Sequence, residues 1–464
     1  MLFKIGPATL SAGILLLSGI SVSTAQTDPG VRPGAINGQT GATQFQPLPV
    51  ASVVTPATGD PTNAIDFFND GLLRFQQSKQ NVNGQGPRFN ANQCGGCHAQ
   101  PTLGGTSTAS NLQAFAVFSP EDVLPSFITA TGPVREARFP FFFNADGSVN
   151  TSAPNGGVET LFTISGTGGA LNCHIAQPNF AAAVAANNVV FRIPTPLFGA
   201  GLLENLDDST LIAVRVAAQG NGMGISGTFN HNGNDGTIAR FGWKAQNKSL
   251  LMFAGEAYNV EMGISNQLFP QERDETPNCQ GGVAVPNDTV NFPAISTASS
   301  AMSVLSDVEA FATFMRLLAP PAPGPATAST GRGSALFSSI GCNLCHTPAF
   351  TTATAVASGS AHAPSAALSG QAVRLFSDLL LHHMGVALAD GISQGAAGPD
   401  EFRTAPLWGL GQRIFFLHDG RTQDLVQAIR AHSSSGSEAS QVVQNFAALT
   451  QQQQQDLLNF LRSL

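Results

Sequence analysis

A mainly α-helical protein of two small domains is what this sequence predicts, and three observations carry that expectation. The pattern Cys-x-x-Cys-His occurs twice, at Cys94-Gly-Gly-Cys97-His98 and at Cys342-Asn-Leu-Cys345-His346, 248 residues apart. Between them a Pro/Gly-rich stretch starts at Ala319-Pro-Pro-Ala-Pro-Gly-Pro and runs to Gly333, as an interdomain linker does. Apolar residues recur at helical spacing around 67–75, over 249–262 and 301–318, and from about Gln452 to Leu464.

Cys-x-x-Cys-His is the attachment sequence of c-type haem. Two thiols one helical turn apart can each add to a vinyl group on one edge of the porphyrin. The histidine that follows reaches the iron from the proximal side, where axial ligation sets potential and reactivity. A Cys₄ zinc ribbon is the main rival, with a thioredoxin-like pair behind it. Ribbons place their cysteine pairs ~15–20 residues apart and need no adjacent histidine. The fold class is therefore mainly α, with two cytochrome c-type haem domains, the first carrying an inserted loop and β-hairpin region. Two covalently bound haem c groups are expected, one on Cys94, Cys97 and His98, the other on Cys342, Cys345 and His346.

In chain order, residues 1–25 read as a secretory signal: Lys4, an apolar run through Ile14-Leu15-Leu16-Leu17, then Ser23-Thr24-Ala25 as a small-x-small cleavage site. The run is too short and too broken by Pro7, Gly13 and Gly19 to anchor the chain, and no later stretch suits a membrane span. A periplasmic or otherwise exported location follows. Residues 26–60, rich in Gly, Pro, Thr and Gln, read as a flexible lead-in. Residues 61–318 form the N-terminal haem domain. Its insertion at about 111–235 is marked by Leu161-Phe162-Thr163-Ile164 and Val189-Val190-Phe191-Arg192-Ile193 among Gly, Asn and Pro clusters. The linker spans 319–333, and 334–464 is the C-terminal haem domain. A short internal echo links the halves: Phe191-Arg-Ile-Pro-Thr-Pro-Leu-Phe-Gly-Ala-Gly201 and Phe402-Arg-Thr-Ala-Pro-Leu-Trp-Gly-Leu-Gly411.

The haem motifs use four of six cysteines and leave Cys173 and Cys279. An exported chain permits a bridge between them, and two buried free thiols are the alternative. Charged residues make up 11% and the net charge is −8, or −9 without Lys4. With no basic run, a nucleic-acid partner is excluded. A mildly acidic surface suits a basic electron-transfer partner.

Two further segments can carry chemistry. Thr422 is an N-cap candidate with Asp424 in the first turn and Gly436 as the end. Leu425, Ile429 and His432 then share one helical face. His432 is either a core histidine or an axial ligand of the second haem, and Met384 in His382-His383-Met384 is its competitor. In the second segment Leu250, Ala254, Ala257, Tyr258 and Glu261 share a face. Glu261 at the end of an apolar stripe is either a buried proton carrier or a surface residue at a helix end.

Taken together, these segments resemble the di-haem oxidoreductase (thiol oxidoreductase-like) family within the bacterial di-haem cytochrome c peroxidase superfamily. The matching stretches are Gly86-Pro-Arg-Phe-Asn90, Ala176-Gln-Pro-Asn-Phe180, Arg240 to Lys244, Ser377-Asp-Leu-Leu-Leu381 with Met384-Gly385, and Phe402 to Arg421. In the wider group a His-Asp-Gly-Arg turn precedes the second axial ligand by fourteen residues, which from His418 reaches His432. A Glu-Met-Gly sequence supplies a distal glutamate, matched by Glu261-Met262-Gly263. The resemblance also implies an aromatic between the haems, in the region of Phe241 and Trp243, although core packing is the favoured reading of both residues. Three features depart from the pattern. Leu251 stands where a distal glutamine is usual, no histidine follows Cys97-His98 closely, and the residues flanking an interdomain calcium do not match.

The resemblance implies a periplasmic enzyme that reduces peroxide or another small oxidant at haem 1, with Glu261 as proton shuttle and His432 opposite His346 at haem 2. Its electron donor would be a soluble protein such as a small cytochrome or cupredoxin. Two other readings remain: a non-catalytic electron-transfer cytochrome with haem 1 closed by His174, His231 or Met262, and an oxidase of a thiol or protein side chain.

Overall fold

The computed structural model describes residues 27–32, 64–115, 123–156, 164–165, 175–274, 276, 279, 284–290, 304–354 and 367–464. Helix outweighs strand among the described residues, 33% against 13%, so they are mainly α. Among the described residues, six helices precede the Pro-rich segment: α1 (Ala64–Gln76), α2 (Phe180–Ala185), α3 (Ala200–Glu204), α4 (Asp208–Ala218), α5 (Leu250–Met262) and α6 (Asp307–Leu317). Four follow it: α7 (Ala328–Ser339), α8 (Leu425–Ala431), α9 (Ser440–Ala447) and α10 (Gln451–Ser463). The strands are short and pair two by two.

A glycine lets the first and last helices of each half cross closely. Phe68, Leu72 and Phe75 bury the inner stripe of α1, and Phe68 meets Phe314 of α6 with ring centroids 5.3 Å apart. A Cβ at Gly71 would stand 2.4 Å from Ala310 O. The crossing of α7 and α10 has the same construction. A Cβ at Gly333 would stand 2.0 Å from Asp456 O, and Phe337 lies 5.5 Å from Phe460. Gly-x-x-x-Phe is thus a second repeat, at Gly71/Phe75 and Gly333/Phe337.

The echo at 191–201 and 402–411 has a physical counterpart in reciprocal packing. Gly199 (φ +72°) lies against Trp408, and Gly409 (φ +76°) lies against Phe198. Gly201 backs onto the carbonyl of Arg316 in α6, and Gly411 onto that of Arg462 in α10. The largest apolar cluster also crosses between the halves, joining Phe198, Leu250 and Phe311 to Phe350, Leu375 and Trp408. An ionic staple accompanies it: Arg192 Nη2 meets Asp390 Oδ2 at 2.5 Å and Lys244 Nζ meets Asp390 Oδ1 at 3.1 Å, all deeply buried.

Four expectations need correction or lie elsewhere. The region 111–235 holds one hairpin among its described residues, Phe141–Phe143 with Val149–Pro154, and a long-range antiparallel pairing of Glu136–Arg138 with Val190–Arg192. It also holds α2, α3 and α4, because Asn179 and Asp207 cap Ala-rich and Leu/Ile/Val-bearing runs. The linker ends at Thr327, whose capping box with Thr330 starts α7 early, so Gly331 and Gly333 are helical. Residues 27–32 of the lead-in are pinned: Arg462 Nε and Nη2 donate to the two Asp28 oxygens, each at 2.7 Å, and Arg32 N donates to Gly411 O at 2.6 Å. Asp424 caps α8 by accepting from Gln427 N, displacing Thr422, and the helix stops with His432 as its C-cap, well before Gly436.

The signal sequence, most of Leu161–Ile164, Cys173 and His174 lie outside the described residues. Cys279 is disulfide-bonded, and the four motif cysteines are free. No helix among the described residues is long and apolar enough to cross a membrane.

Candidate active site: two cavities at the Cys-x-x-Cys-His turns

Each Cys-x-x-Cys-His pentapeptide folds as a single tight turn. His98 N donates to Cys94 O at 3.1 Å, and His346 N donates to Cys342 O at 2.9 Å. Both cysteines and the histidine of each turn line one cavity, so residues 248 apart in sequence build two matched hollows.

The histidines are oriented alike. His346 Nδ1 donates to Phe376 O at 3.0 Å, leaving its Nε2 free to bind a metal, and His98 Nδ1 donates to Gly105 O at 3.1 Å, with the backbone of Thr195 as a second partner of that ring. Phe75 and Phe337 stand 6.1 and 6.3 Å from the two imidazoles. Burial pushes both histidines down to about 4, which keeps them neutral lone-pair donors.

Helix α5 forms the wall of the first cavity that carries Glu261. Ser249 caps its start, accepting from Met252 N, and Gly263 in the left-handed region ends it. Glu261 thereby joins Cys94, Cys97 and His98 around one space. Asn90 Nδ2 donates to Glu261 Oε2 at 2.8 Å, and the Glu261 carbonyl accepts from Asn90 N at 2.8 Å. Burial and the neighbouring Glu136 carboxylate raise its pKa to about 8, against the opposing pull of Asn90 and Arg138. Leu251 packs at the edge of the apolar core. The cavity instead holds amides from elsewhere, Gln113 and Gln246, whose Oε1 atoms are buried without a partner. Among the described residues lining it, His98 is the only histidine. His231 lines neither cavity, and its Nδ1 donates to Gly236 O at 2.9 Å. The Met262 sulfur lies 3.5 Å from Cys94 Sγ.

The second cavity brings together His432, Met384, His382 and His418 with its own pentapeptide. His432 Nδ1 donates to Ala428 O at 2.7 Å, leaving Nε2 available. Met384 packs on the cluster of Ile193, Trp243, Phe402 and Phe415. His382 is engaged at both nitrogens, with Asp378 Oδ2 at 2.9 Å and Glu438 Oε2 at 2.8 Å. Carboxylates only accept, so both nitrogens carry protons and no lone pair faces a metal. Burial works against that charge, but the Cys345 and Asp378 groups outweigh it and hold the imidazole well above its usual pKa. Trp243 lines both cavities, and its Nε1 donates to Ile193 O at 2.8 Å.

The residues present fit haem. Each cavity has two free thiols and a carbonyl-anchored histidine. Each also has buried guanidinium nitrogens without a partner, Arg138 Nε and Nη1 in the first and Arg413 Nη2 in the second. These suit the anionic propionates of a porphyrin. Residues 169–464 match the model of the di-haem oxidoreductase family.

The chain belongs to that family.

Membership implies two haems and an oxidoreductase. No curated protein matches significantly. Among solved structures, the diheme peroxidase BthA from Burkholderia thailandensis E264 is 12% identical, over 95% of this chain and 94% of that one, with a TM-score of 0.37. A MauG-like protein associated with microbial copper homeostasis is 15% identical over 58% of this chain and 89% of that one, TM-score 0.30. Kuenenia stuttgartiensis hydrazine synthase is 20% identical, TM-score 0.22. The match covers 36% of this di-haem oxidoreductase and just over half, 56%, of that chain.

The four motif cysteines, His98, His346, His432 and Glu261, singled out from the sequence, all line one or other of the two cavities. The partners that set their chemistry are not apparent in the sequence. Glu438 meets His382 across 56 residues and Asn90 meets Glu261 across 171. No local pattern signals such pairings.

Proposed function

We propose that this di-haem oxidoreductase is exported and reduces a small peroxide in the first cavity with electrons entering through the second. Cys94 and Cys97 would hold one haem and Cys342 and Cys345 the other through thioether links, with His98 and His346 as the histidines that would bind their iron. The haems supply a site where an oxidant takes up electrons and a store from which those electrons come. The observation that carries the reading is Glu261: a carboxyl group inside the first cavity, tuned by burial and Glu136 to about 8.

Reducing hydrogen peroxide to two waters takes two electrons and two protons. Glu261, as carboxylate, takes the proton of the inner peroxide oxygen and delivers it to the outer one, so that the outer oxygen leaves as water, and the inner oxygen then takes up the two electrons and two protons and leaves as the second water. Asn90 Nδ2 holds Glu261 Oε2 while the proton moves. Gln246 and Gln113 supply amides to orient the oxidant in place of a glutamine at 251. Trp243, present in both walls, is the shared contact across which electrons pass. His432, with Nε2 unengaged, would help hold the iron of the second haem, in preference to Met384. A small cytochrome or cupredoxin is the donor.

A second reading, oxidation of a thiol or protein side chain, is favoured by the apolar Leu251. One experiment separates the two. Peroxide-dependent oxidation of a reduced cytochrome by the wild-type protein supports peroxide reduction. Its absence, with thiol oxidation present, supports the second reading.

A further inference from the structure

The chain contains one tyrosine, and it stands in the wall of the first cavity. Tyr258 is 3% exposed, one turn before Glu261 on α5. Its hydroxyl donates to Asp307 Oδ2 at 2.7 Å. Asp307 also receives Lys79 Nζ at 2.6 Å and Arg74 Nη1 at 3.2 Å, and these cations hold it as a carboxylate below its usual range against the pull of burial. Its side chain is 18% exposed, so the far end of this chain of bonds reaches solvent. The tyrosine ring meets Phe311 edge-on at 5.1 Å, Phe311 meets Phe75 at 6.3 Å, and Phe75 meets His98 at 6.1 Å.

Trp243, the other readily oxidised aromatic side chain lining this cavity, has the opposite surroundings. Its Nε1 donates to a neutral carbonyl, Arg413 lies 5.9 Å from its ring, and Arg403 is anchored to the adjoining Gly242 carbonyl. No base faces its N–H, and the cations oppose a positive charge on the indole. An oxidised phenol is a far stronger acid than a carboxylic acid, so Asp307 is competent to take its proton while nothing equivalent serves Trp243.

From this contrast we infer that Tyr258 is a redox-active residue that donates one electron to the first cavity and holds the resulting radical, with Asp307 as its proton acceptor. The inference rests on the peroxide reading above. Of the two electrons that peroxide takes, one comes from the haem pair and one from Tyr258 when the protein donor has not supplied it. The phenol O–H breaks, the electron enters the cavity, the proton moves to Asp307 Oδ2, and a neutral phenoxyl radical remains. A later electron from the donor, with return of the proton, restores the phenol.

Because Tyr258 is the only tyrosine, the test is specific to it. The full di-haem protein is prepared in its oxidised state with ordinary and with ring-deuterated tyrosine, mixed with hydrogen peroxide, frozen within seconds and examined by electron paramagnetic resonance. Peroxide loss is followed in parallel. The expected result is an organic radical whose hyperfine pattern collapses on deuteration and which is lost in Tyr258→Phe. Peroxide consumed with no label-sensitive radical overturns the role of Tyr258 and leaves the peroxide reading standing. Peroxide untouched overturns both.

Discussion

Glu261 carries a cost that the proposed proton-carrying role explains. A carboxyl with its folded-state pKa at about 8 is neutral in both states at low pH and disfavours folding once the unfolded chain can ionise. Stability is therefore lost as pH rises from the ordinary carboxyl value toward 8. Glu261→Gln should raise the melting temperature at pH 8 and leave it unchanged near pH 4. The same substitution should lower peroxide turnover by ~10²–10⁴-fold without altering either haem spectrum. Wild-type turnover should climb with pH through about 8, and the variant should lose that limb. At the second cavity, His432→Ala should convert haem 2 from low to high spin in its absorption spectrum, whereas Met384→Leu should not. His382 is a buried cation between two carboxylates. His382→Ala should cost roughly 3–5 kcal/mol in denaturant unfolding because Asp378 and Glu438 are left facing each other. Glu438 is held at about 2, with His382 and backbone N–H groups outweighing burial, so its contribution is present above the ordinary carboxyl pKa and fades as pH falls toward 2.

At the scale of the element, two crossings position the cavities, α1 on α6 and α7 on α10. Adding a methyl group at Gly333 meets backbone at 2.0 Å, so Gly333→Ala should cost about 1–3 kcal/mol by overpacking. The exposed Gly331, with open space around its added Cβ, should gain slightly from the same change. Melting of the two variants side by side checks both signs. These crossings show what a sequence makes legible. The apolar stripes of α1, α5, α6 and α10 could be read because amphipathic spacing is local. The Pro/Gly composition of 319–333 hid the start of α7, because Gly333 is there to admit α10 rather than to break a helix. Capping misled in a similar way: Thr422 and Asp424 are both good caps, and only the approach of Gln427 N decides between them. In 111–235, turn-forming residues drew attention from Asp207, whose side chain starts the eleven-residue α4.

Across the whole molecule the halves are joined at the place where electrons would cross in the proposed reaction. Trp243 is shared by the two cavities, and Lys244, its neighbour, is tied with Arg192 to Asp390. The echo at 191–201 and 402–411, faint in sequence, becomes a reciprocal contact of aromatic on glycine. What the sequence could not convey was which side chain faces which cavity. The cysteine motifs are legible because their chemistry is complete within five residues. The site around Glu261 is assembled from Asn90, Glu136 and Gln246 on separate segments. The account makes the two haems unequal: the first is open on the side of Glu261, and the second is closed by His432. Electron paramagnetic resonance of the resting, fully oxidised protein tests this most directly. The account predicts one high-spin ferric haem beside one low-spin haem. Two low-spin haems, or no haem signal, would contradict it.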